Sequence, residues 1–153
     1  MVLHPTKKLN GRNIFLSYKE TKSNMTTSTN NKVMTTQEVA ARFNELAQQE
    51  KWFDIQQELF AENVRSIDPE NSPYFPYAEG KENVRKKGES FVGRVTAMYK
   101  LSTSEPLVAG NHFAVARDKE LEVTGFGRVH INEIMLYEVK DGQIVLEQFF
   151  YSV

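Results

Sequence analysis

The chain has 153 residues, of which 40% are hydrophobic and 25% are charged, so it has the material for the core of one globular domain. It contains no cysteine, which excludes disulfide bonds, thiol nucleophiles and cysteine-ligated metals. A net charge of -1, with no apolar run near the roughly 18 residues of a membrane span, argues against nucleic-acid and membrane partners and predicts a cytoplasmic location.

Residues 1–34 are predicted to form a disordered basic tail. They carry six Lys or Arg residues and one acid, and the Ser/Thr/Asn-rich stretch 23–31 offers no repeated apolar face. Met25 and Met34 are both plausible alternative starts. In the rest of the chain the one dense basic cluster, 85–87, is expected to be a solvated helix face.

Two amphipathic helices are predicted next. The first begins at Thr35, because Thr35-Thr36-Gln37-Glu38 is a capping box, and its apolar stripe runs through Val39, Phe43, Leu46 and Ala47. The second carries the stripe Trp52, Ile55, Leu59 and Phe60, with Asp54 as its candidate N-cap.

A short strand follows the second helix and ends on Asp68. Pro69 removes a backbone donor and disfavours helix at the residue before it, so the strand should stop at a sheet rim. The Asp68 carboxylate could therefore face a pocket, or it could accept backbone hydrogen bonds within the turn that follows.

The remaining elements predict an α+β fold. Residues 71–77 form a proline-interrupted aromatic loop, and residues 80–97 return to helical spacing. Strands are predicted at about 98–108, 112–124, 127–139 and 143–151, with Asp141-Gly142 as the strongest hairpin signal. Helices followed by a strand meander indicate helices packed on one face of a curved, mostly antiparallel sheet.

The order of these elements resembles the nuclear transport factor 2-like superfamily, in particular its SnoaL-like polyketide cyclases and ketosteroid isomerases. The resemblance covers roughly residues 35–151. It rests on Leu59-Phe60-Ala61-Glu62-Asn63, Ile67-Asp68-Pro69, Gly80-Lys81-Glu82, Phe113 after a Gly-Asn turn, and Lys140-Asp141-Gly142-Gln143-Ile144-Val145. It implies a cone-shaped α+β barrel over residues 35–153, with an apolar cavity between helices and sheet and a tendency to form homodimers.

The resemblance also implies a catalytic site. Asp68 matches the position of the isomerases' proton-shuttling aspartate, and a carboxylate in an apolar cavity can take a proton from carbon next to a carbonyl. The isomerases' two oxyanion donors match Phe43 or Asn44, and Ile134. Since Phe43 and Ile134 cannot donate a hydrogen bond, steroid isomerisation by that mechanism is not expected.

Further site residues are predicted from strand alternation. His130 and Asn132 share a face with Ile134 and Leu136, and register counted back from the Asp141-Gly142 turn places that face toward the cavity. His130 is therefore a second catalytic candidate, although a solvent-exposed strand histidine is the simpler reading. The predicted ligand-contacting residues are Phe43, Trp52, Tyr77, Asn132, Ile134, Glu147, Phe149 and Tyr151, although core packing is the simpler reading for Trp52 and loop packing for Tyr77.

Two functions are carried forward. The first is a protein that binds a small apolar organic molecule and acts as a cofactor-free isomerase, cyclase or dehydratase, with Asp68 as base and His130, Asn132 or a tyrosine as polariser. The alternative is a non-catalytic ligand-binding or dimeric interaction module. A protein-adaptor role ranks last, because no residue supports it.

Metal and cofactor sites are not expected, because His112, His130 and Glu133 lack ligand spacing and there is no phosphate loop or dinucleotide fingerprint. Both faces of the strand 127–139 are apolar, whereas the helices can cover only one of them. We therefore expect a homodimer through the outer sheet face.

Overall fold

The computed structural model describes residues 32–74 and 77–152. The predictions made for residues 1–31 and for Phe75 and Pro76 of the aromatic loop lie outside the described residues. Residues 32–34 have no regular secondary structure.

The described residues form three helices and seven strands. The helices are α1 (Thr36–Ala47), α2 (Trp52–Leu59) and α3 (Lys81–Val92). The strands are β1 (Phe60–Ile67), β2 (Tyr77–Glu79), β3 (Val95–Thr103), β4 (Leu107–Ala109), β5 (His112–Val123), β6 (Gly127–Lys140) and β7 (Gln143–Phe150). Within the described ranges, none of the helices is long and apolar enough to cross a membrane.

The capping box at the start of α1 is confirmed. The Thr35 backbone N–H donates to Glu38 Oε2 at 2.7 Å, and the Glu38 N–H donates to Thr35 Oγ1 at 3.2 Å. The N-cap prediction for α2 is wrong, because the helix begins at Trp52 after Lys51 and Asp54 lies within its first turn. Glu50 has a left-handed φ of 57°, so the turn that closes α1 leads directly into α2.

The end of α3 and the strand that follows it also differ from prediction. Helix α3 ends at Val92 rather than near residue 97, because Arg94 and Val95 leave the helix and β3 pairs Val95 with Val123. The strand predicted at 98–108 is divided into β3 and β4, since Pro106 cannot donate to the hydrogen-bond ladder.

The strands form one open sheet in the order β2-β1-β7-β6-β5-β3, with β4 paired to β5. Only the β1–β7 pair is parallel. Irregularities in the β1–β7, β3–β5 and β6–β7 pairs bend the sheet, as bulges do. The three helices pack on one side of this curved sheet, which we call the inner face, and the α+β prediction is confirmed.

The β6–β7 hairpin contains the irregularity that matters most for the site. Val139 pairs with Ile144 but Glu138 pairs with Leu146, so Val145 is an extra residue on β7. Without it, Glu147 would lie opposite Leu136; with it, Glu147 lies opposite Tyr137. The bulge thus decides which side chains of β6 share a face with Glu147.

The core lies between α1, α2 and the inner face. Phe43, Phe113 and Tyr137 are each at most 1% exposed, and their ring centroids are 4.7–5.1 Å apart. Burial of such large rings is among the strongest contributions to stability in a domain of this size. This aromatic cluster joins α1 to β5 and β6.

Candidate functional site

A cavity of about 650 Å³ lies between α2, α3 and the inner face of the sheet. This volume is typical of sites for small organic ligands. Most of its wall is apolar and comes from α3, β3, β5 and β6: Val84, Phe91, Val95, Leu101, Leu121, Ile131 and Met135. Charged side chains reach the same space from β1, α3, β5, β6 and β7, so the cavity combines an apolar wall with a polar strip.

Asp68 lies at the end of β1 and faces this cavity. Its carboxylate forms an ion pair with Lys87 of α3, and the two side chains are only 10% and 12% exposed. Lys87 also donates to the Ser66 hydroxyl at 2.8 Å and lies over the Phe149 ring. The turn after Asp68 is closed by a backbone hydrogen bond, in which the Ser72 N–H donates to the Pro69 carbonyl at 2.8 Å. The Asp68 carboxylate takes no part in that bond and is directed to the cavity.

The other oxygen of Asp68 accepts a hydrogen bond from the Tyr151 hydroxyl at 2.5 Å. That hydroxyl is also 2.8 Å from Ser72 Oγ, which in turn accepts from the Tyr74 backbone N–H. Burial, followed by the bond to Asp68, raises the pKa of Tyr151. Tyr151 therefore remains a neutral donor and ties the loop after β1 to the end of the chain.

Glu147 is the most deeply buried acid of the cavity apart from Glu133. It is 6% exposed on β7, between Ser66 of β1 and Tyr137 of β6. Burial raises the pKa of Glu147 to about 7, against the lowering effects of the Ser66 hydroxyl and the Lys87 charge. Near neutral pH this side chain can thus either release or accept a proton.

Two further ion pairs complete the polar strip. Lys119 Nζ is 2.7 Å from Glu133 Oε1, and Glu133 is almost wholly buried. Arg117 binds Glu50 with both terminal nitrogens, at 3.1 and 2.7 Å, and its guanidinium lies 4.3 Å from the Trp52 ring centroid. Although burial opposes it, the bonds from Arg117 and Trp52 lower the pKa of Glu50. These pairs neutralise the charges that β5 and β6 direct inward.

The structure places several predicted site residues together. Those that line the cavity are Trp52, Asp68, Glu147, Phe149 and Tyr151. Their contact with a ligand stays a prediction. The described residues contain no group of three or more His, Asp or Glu side chains that could hold a metal ion.

The predicted inward orientation of His130, Asn132 and Ile134 is wrong. All three are exposed on the outer face, which is the side of the sheet turned away from the helices, and Ile134 is 54% exposed. His130 Nε2 is bonded there to Asp118 Oδ1 at 2.5 Å. Along β6 the side chains alternate without a break, and Ile131, Glu133 and Met135 are buried on the inner face. The count from the Asp141-Gly142 turn assumed an unbroken hairpin, in which Glu147 lies opposite Leu136, whereas the extra residue Val145 places it opposite Tyr137.

Two other predicted ligand contacts are also corrected. Phe43 is fully buried against Trp52, Phe113 and Tyr137 and does not line the cavity. Tyr77 is 53% exposed, because it pairs with Ile67 on the outer side of β1, and its hydroxyl donates to Glu79 at 2.8 Å. Neither residue can contact a ligand held in the cavity.

Sequence reasoning missed the cations of the cavity, although a signal for each was present. Lys87 lies three residues after Val84 and four before Phe91, so it shares their helix face instead of belonging to a solvated cluster. Arg117 and Lys119 continue the inward alternation of β5. Strand and helix periodicity, applied to charged as well as apolar residues, would have found all three.

The fold and the cavity define a nuclear transport factor 2-like protein. A SnoaL-like domain family matches residues 34–151, which is most of the chain. The protein therefore belongs to the SnoaL-like family, as the sequence resemblance predicted. No curated protein sequence matches the chain.

Solved structures give the same fold. A proposed SnoaL-like polyketide cyclase (carbohydrate phosphatase) from Mesorhizobium loti is 29% identical, with a TM-score of 0.72, and the match covers 77% of this chain and 100% of that one. An NTF2-like protein of unknown function from Burkholderia pseudomallei is 15% identical, with a TM-score of 0.62 and coverage of 78% and 92%. A second proposed SnoaL-like cyclase, from Jannaschia sp., is 18% identical, with a TM-score of 0.59 and coverage of 76% and 85%. The last two likenesses show the fold alone.

The burial of Lys87 can be tested against its neighbour Lys86, which is largely exposed and paired only with Glu82. We expect Lys87→Met to lower the free energy of unfolding at pH 7 by about 3 kcal/mol, because it leaves the buried Asp68 without its cation. Lys86→Met should change the free energy of unfolding far less, because an exposed surface ion pair contributes little. Urea denaturation of both variants measures the difference, and equal losses would contradict the burial of the Asp68–Lys87 pair.

The ionisation of Glu147 should appear in the pH dependence of stability. Its pKa is about 7 in the folded state and 4.5 ordinarily, so the folded state holds more protons between these values. Wild-type stability should therefore fall, relative to Glu147→Gln, by about 3 kcal/mol as the pH rises from 4.5 to above 7. Urea denaturation at a series of pH values measures this difference. A difference that stays constant with pH would show that Glu147 titrates normally.

Proposed function

We propose that this protein binds a small, largely apolar organic molecule in the cavity and carries out cofactor-free acid/base chemistry on it, as an isomerase, cyclase or dehydratase. The observation that supports this most is Asp68, a carboxylate directed into an apolar cavity of ligand size. The apolar wall would hold the hydrocarbon part of the molecule. The polar strip would orient its oxygen atoms.

Asp68 is the proposed base. Its carboxylate pairs with Lys87, and the Tyr151 hydroxyl fixes the orientation of that carboxylate. Proton abstraction from a carbon next to a carbonyl also requires donors near the developing oxyanion. Phe43 and Ile134 cannot be such donors, since one lies in the core and the other on the outer face. His130 and Asn132 also lie on the outer face and are not retained as polarisers.

A non-catalytic binding function is the second candidate. It is favoured by the engagement of both Asp68 oxygens, one by Lys87 and the other by Tyr151, because the carboxylate must give up one of these bonds before it accepts a proton from a ligand. In this case the cavity would bind its ligand without turnover. The proposed adaptor role gains no further support from the structure.

Deuterium exchange distinguishes the two functions without a known substrate. We expect the wild-type protein to accelerate incorporation of deuterium into 1-indanone at the carbon next to the carbonyl, followed by NMR in D₂O. Asp68→Asn should reduce this acceleration by about 100-fold or more, because an amide cannot accept the proton. Asp118→Asn is the matched control, since Asp118 is also paired with a lysine, Lys100, but on the outer face.

Either of two results would contradict a catalytic role for Asp68. The first is exchange that is equally fast in wild type and Asp68→Asn. The second is binding of 1-indanone without any acceleration by the wild type, which would support the binding function.

We also propose that the protein forms a homodimer through the outer face. Ile134 and Phe150 pair across β6 and β7 on that face and are 54% and 48% exposed, with Leu136 and Ala116 beside them. Exposed apolar side chains grouped on a sheet favour association. A cytoplasmic location stays a prediction from the sequence.

Sedimentation velocity tests the dimer. Ile134→Asp should convert a wild-type dimer to monomer, because it places a charge in the apolar centre of the interface. Val92→Asp is the control, since Val92 is also 54% exposed but lies on α3. A wild-type monomer, or a dimer that survives Ile134→Asp, would exclude this interface.

A further inference from the structure

Glu147 differs from the other buried acids of the cavity in its partners. Asp68 is paired with Lys87 and Glu133 with Lys119. Among the salt bridges of the described residues, none involves Glu147. A buried carboxyl group without a cation is far more stable as the neutral acid, and a neutral acid can donate a hydrogen bond.

Glu147 is nevertheless connected to Asp68 through two side chains. Lys87 donates both to Asp68 and to Ser66 Oγ, the latter at 2.8 Å. Ser66 is completely buried and lies beside Glu147 on the neighbouring parallel strand, where its hydroxyl bonds the Glu147 carboxyl. The two acids therefore lie at opposite ends of one hydrogen-bonded chain, with the lysine nearer to Asp68.

The charges around Glu147 come from every element packed against it. Lys87 on α3 favours its ionised form, whereas Asp68 after β1 and Glu133 on β6 oppose it. Tyr137 on β6 and Tyr151 near the chain end are neutral, since burial raises the pKa of both, and β5 contributes Arg117 and Lys119, each already paired. Glu147 is the member of this set whose pKa is raised to about 7.

We propose that Glu147 acts as a neutral acid toward the ligand and donates its proton to a carbonyl or hydroxyl oxygen of an uncharged, largely apolar ketone or alcohol. This inference rests on the proposed ligand-binding function and specifies its substrate class. It assigns the oxygen-binding role, for which Phe43 and Ile134 are unsuitable, to a residue on β7. An anionic ligand is disfavoured, because Lys87, Arg117 and Lys119, the cations that α3 and β5 direct into the cavity, already have carboxylate partners.

For a ketone the two acids form a complete proton-transfer pair. The Asp68 carboxylate takes a proton from the carbon next to the carbonyl, and the electron pair of that C–H bond becomes a C=C bond. The carbonyl π electrons move to oxygen, which takes the Glu147 proton, so the product is a neutral enol. Return of both protons, one of them to a different carbon in an isomerisation, restores the starting charges without a co-reactant.

The test compares benzophenone with diphenylmethane, which differ only in a carbonyl group that replaces a methylene. Binding to the full chain is followed by the indole NMR signal of Trp52, the single tryptophan, which lines the cavity. The preference for benzophenone is the dissociation constant of diphenylmethane divided by that of benzophenone. At pH 5.5 we expect this ratio to be about 3- to 10-fold larger in wild type than in Glu147→Met, which is the effect of one hydrogen bond. Glu147→Gln, which keeps a donor, should retain the preference.

The pH dependence separates a proton donor from a structural role. In wild type the preference should decline from pH 5.5 to 8.5, because ionised Glu147 cannot donate, whereas in Glu147→Gln it should be independent of pH. His130→Asn should behave as wild type, since His130 lies on the outer face, away from the cavity.

Three results would overturn the inference. A benzophenone preference that is equal in wild type and Glu147→Met excludes Glu147 as the donor and leaves cavity binding intact, as does a preference that is constant with pH in wild type. Failure of both compounds to bind to wild type would overturn the inference and the proposed binding function together.

Discussion

A charge that is removed from water must be compensated, and this constraint organises the inner face of the sheet. Asp68 with Lys87, Glu133 with Lys119, and Glu50 with Arg117 each join residues from different elements. Removing one partner from the buried Asp68–Lys87 pair costs several kcal/mol, and this pair joins α3 to the end of β1. Because Lys87, Arg117 and Lys119 are all paired with other acids, Glu147 is left without an ion-pair partner, and the cavity gains a buried acid as well as a carboxylate.

A single inserted residue in β7 decides which side chains of that strand reach the inner face. Val145 shifts the pairing so that Glu147 lies opposite Tyr137, beside Ser66, and shares the inner face with Ile131, Glu133 and Met135. Without the bulge, Glu147 would lie opposite Leu136 and share the outer face with His130 and Asn132. A one-residue change of register would thus place different functional groups in the cavity, since strand side chains alternate between faces.

The protein shares its fold with SnoaL-like proteins but has its own arrangement of polar groups. Asp68 lies where the family resemblance implied a base, whereas Phe43 belongs to the core and Ile134 to the outer face. The acids that do reach the inner face are Glu133 and Glu147. Glu133 is adjacent to Ile134 on β6, and Glu147 lies on the neighbouring strand β7. The chemistry of the cavity must therefore be derived from this chain's own side chains.

Local signals in the sequence determined most of the secondary structure. The capping box at Thr35, the helical stripes, the Asp141-Gly142 turn and the strand end at Asp68 depend on neighbouring residues, and all are present in the structure. The family and the α+β class followed from their order. The inward direction of Lys87, Arg117 and Lys119 was also encoded locally, through their spacing from apolar neighbours, but it was not recognised.

Only the tertiary structure decided which side chains of β6 share a face with Glu147 and which ions are paired. The Val145 bulge arises from pairing between strands, and no periodicity within one strand reveals it. The partners of Asp68 are Lys87 and Tyr151, 19 and 83 residues away along the chain. Helix caps and turns form from adjacent residues, whereas a buried charge acquires its partner, and hence its protonation, only when distant segments come together.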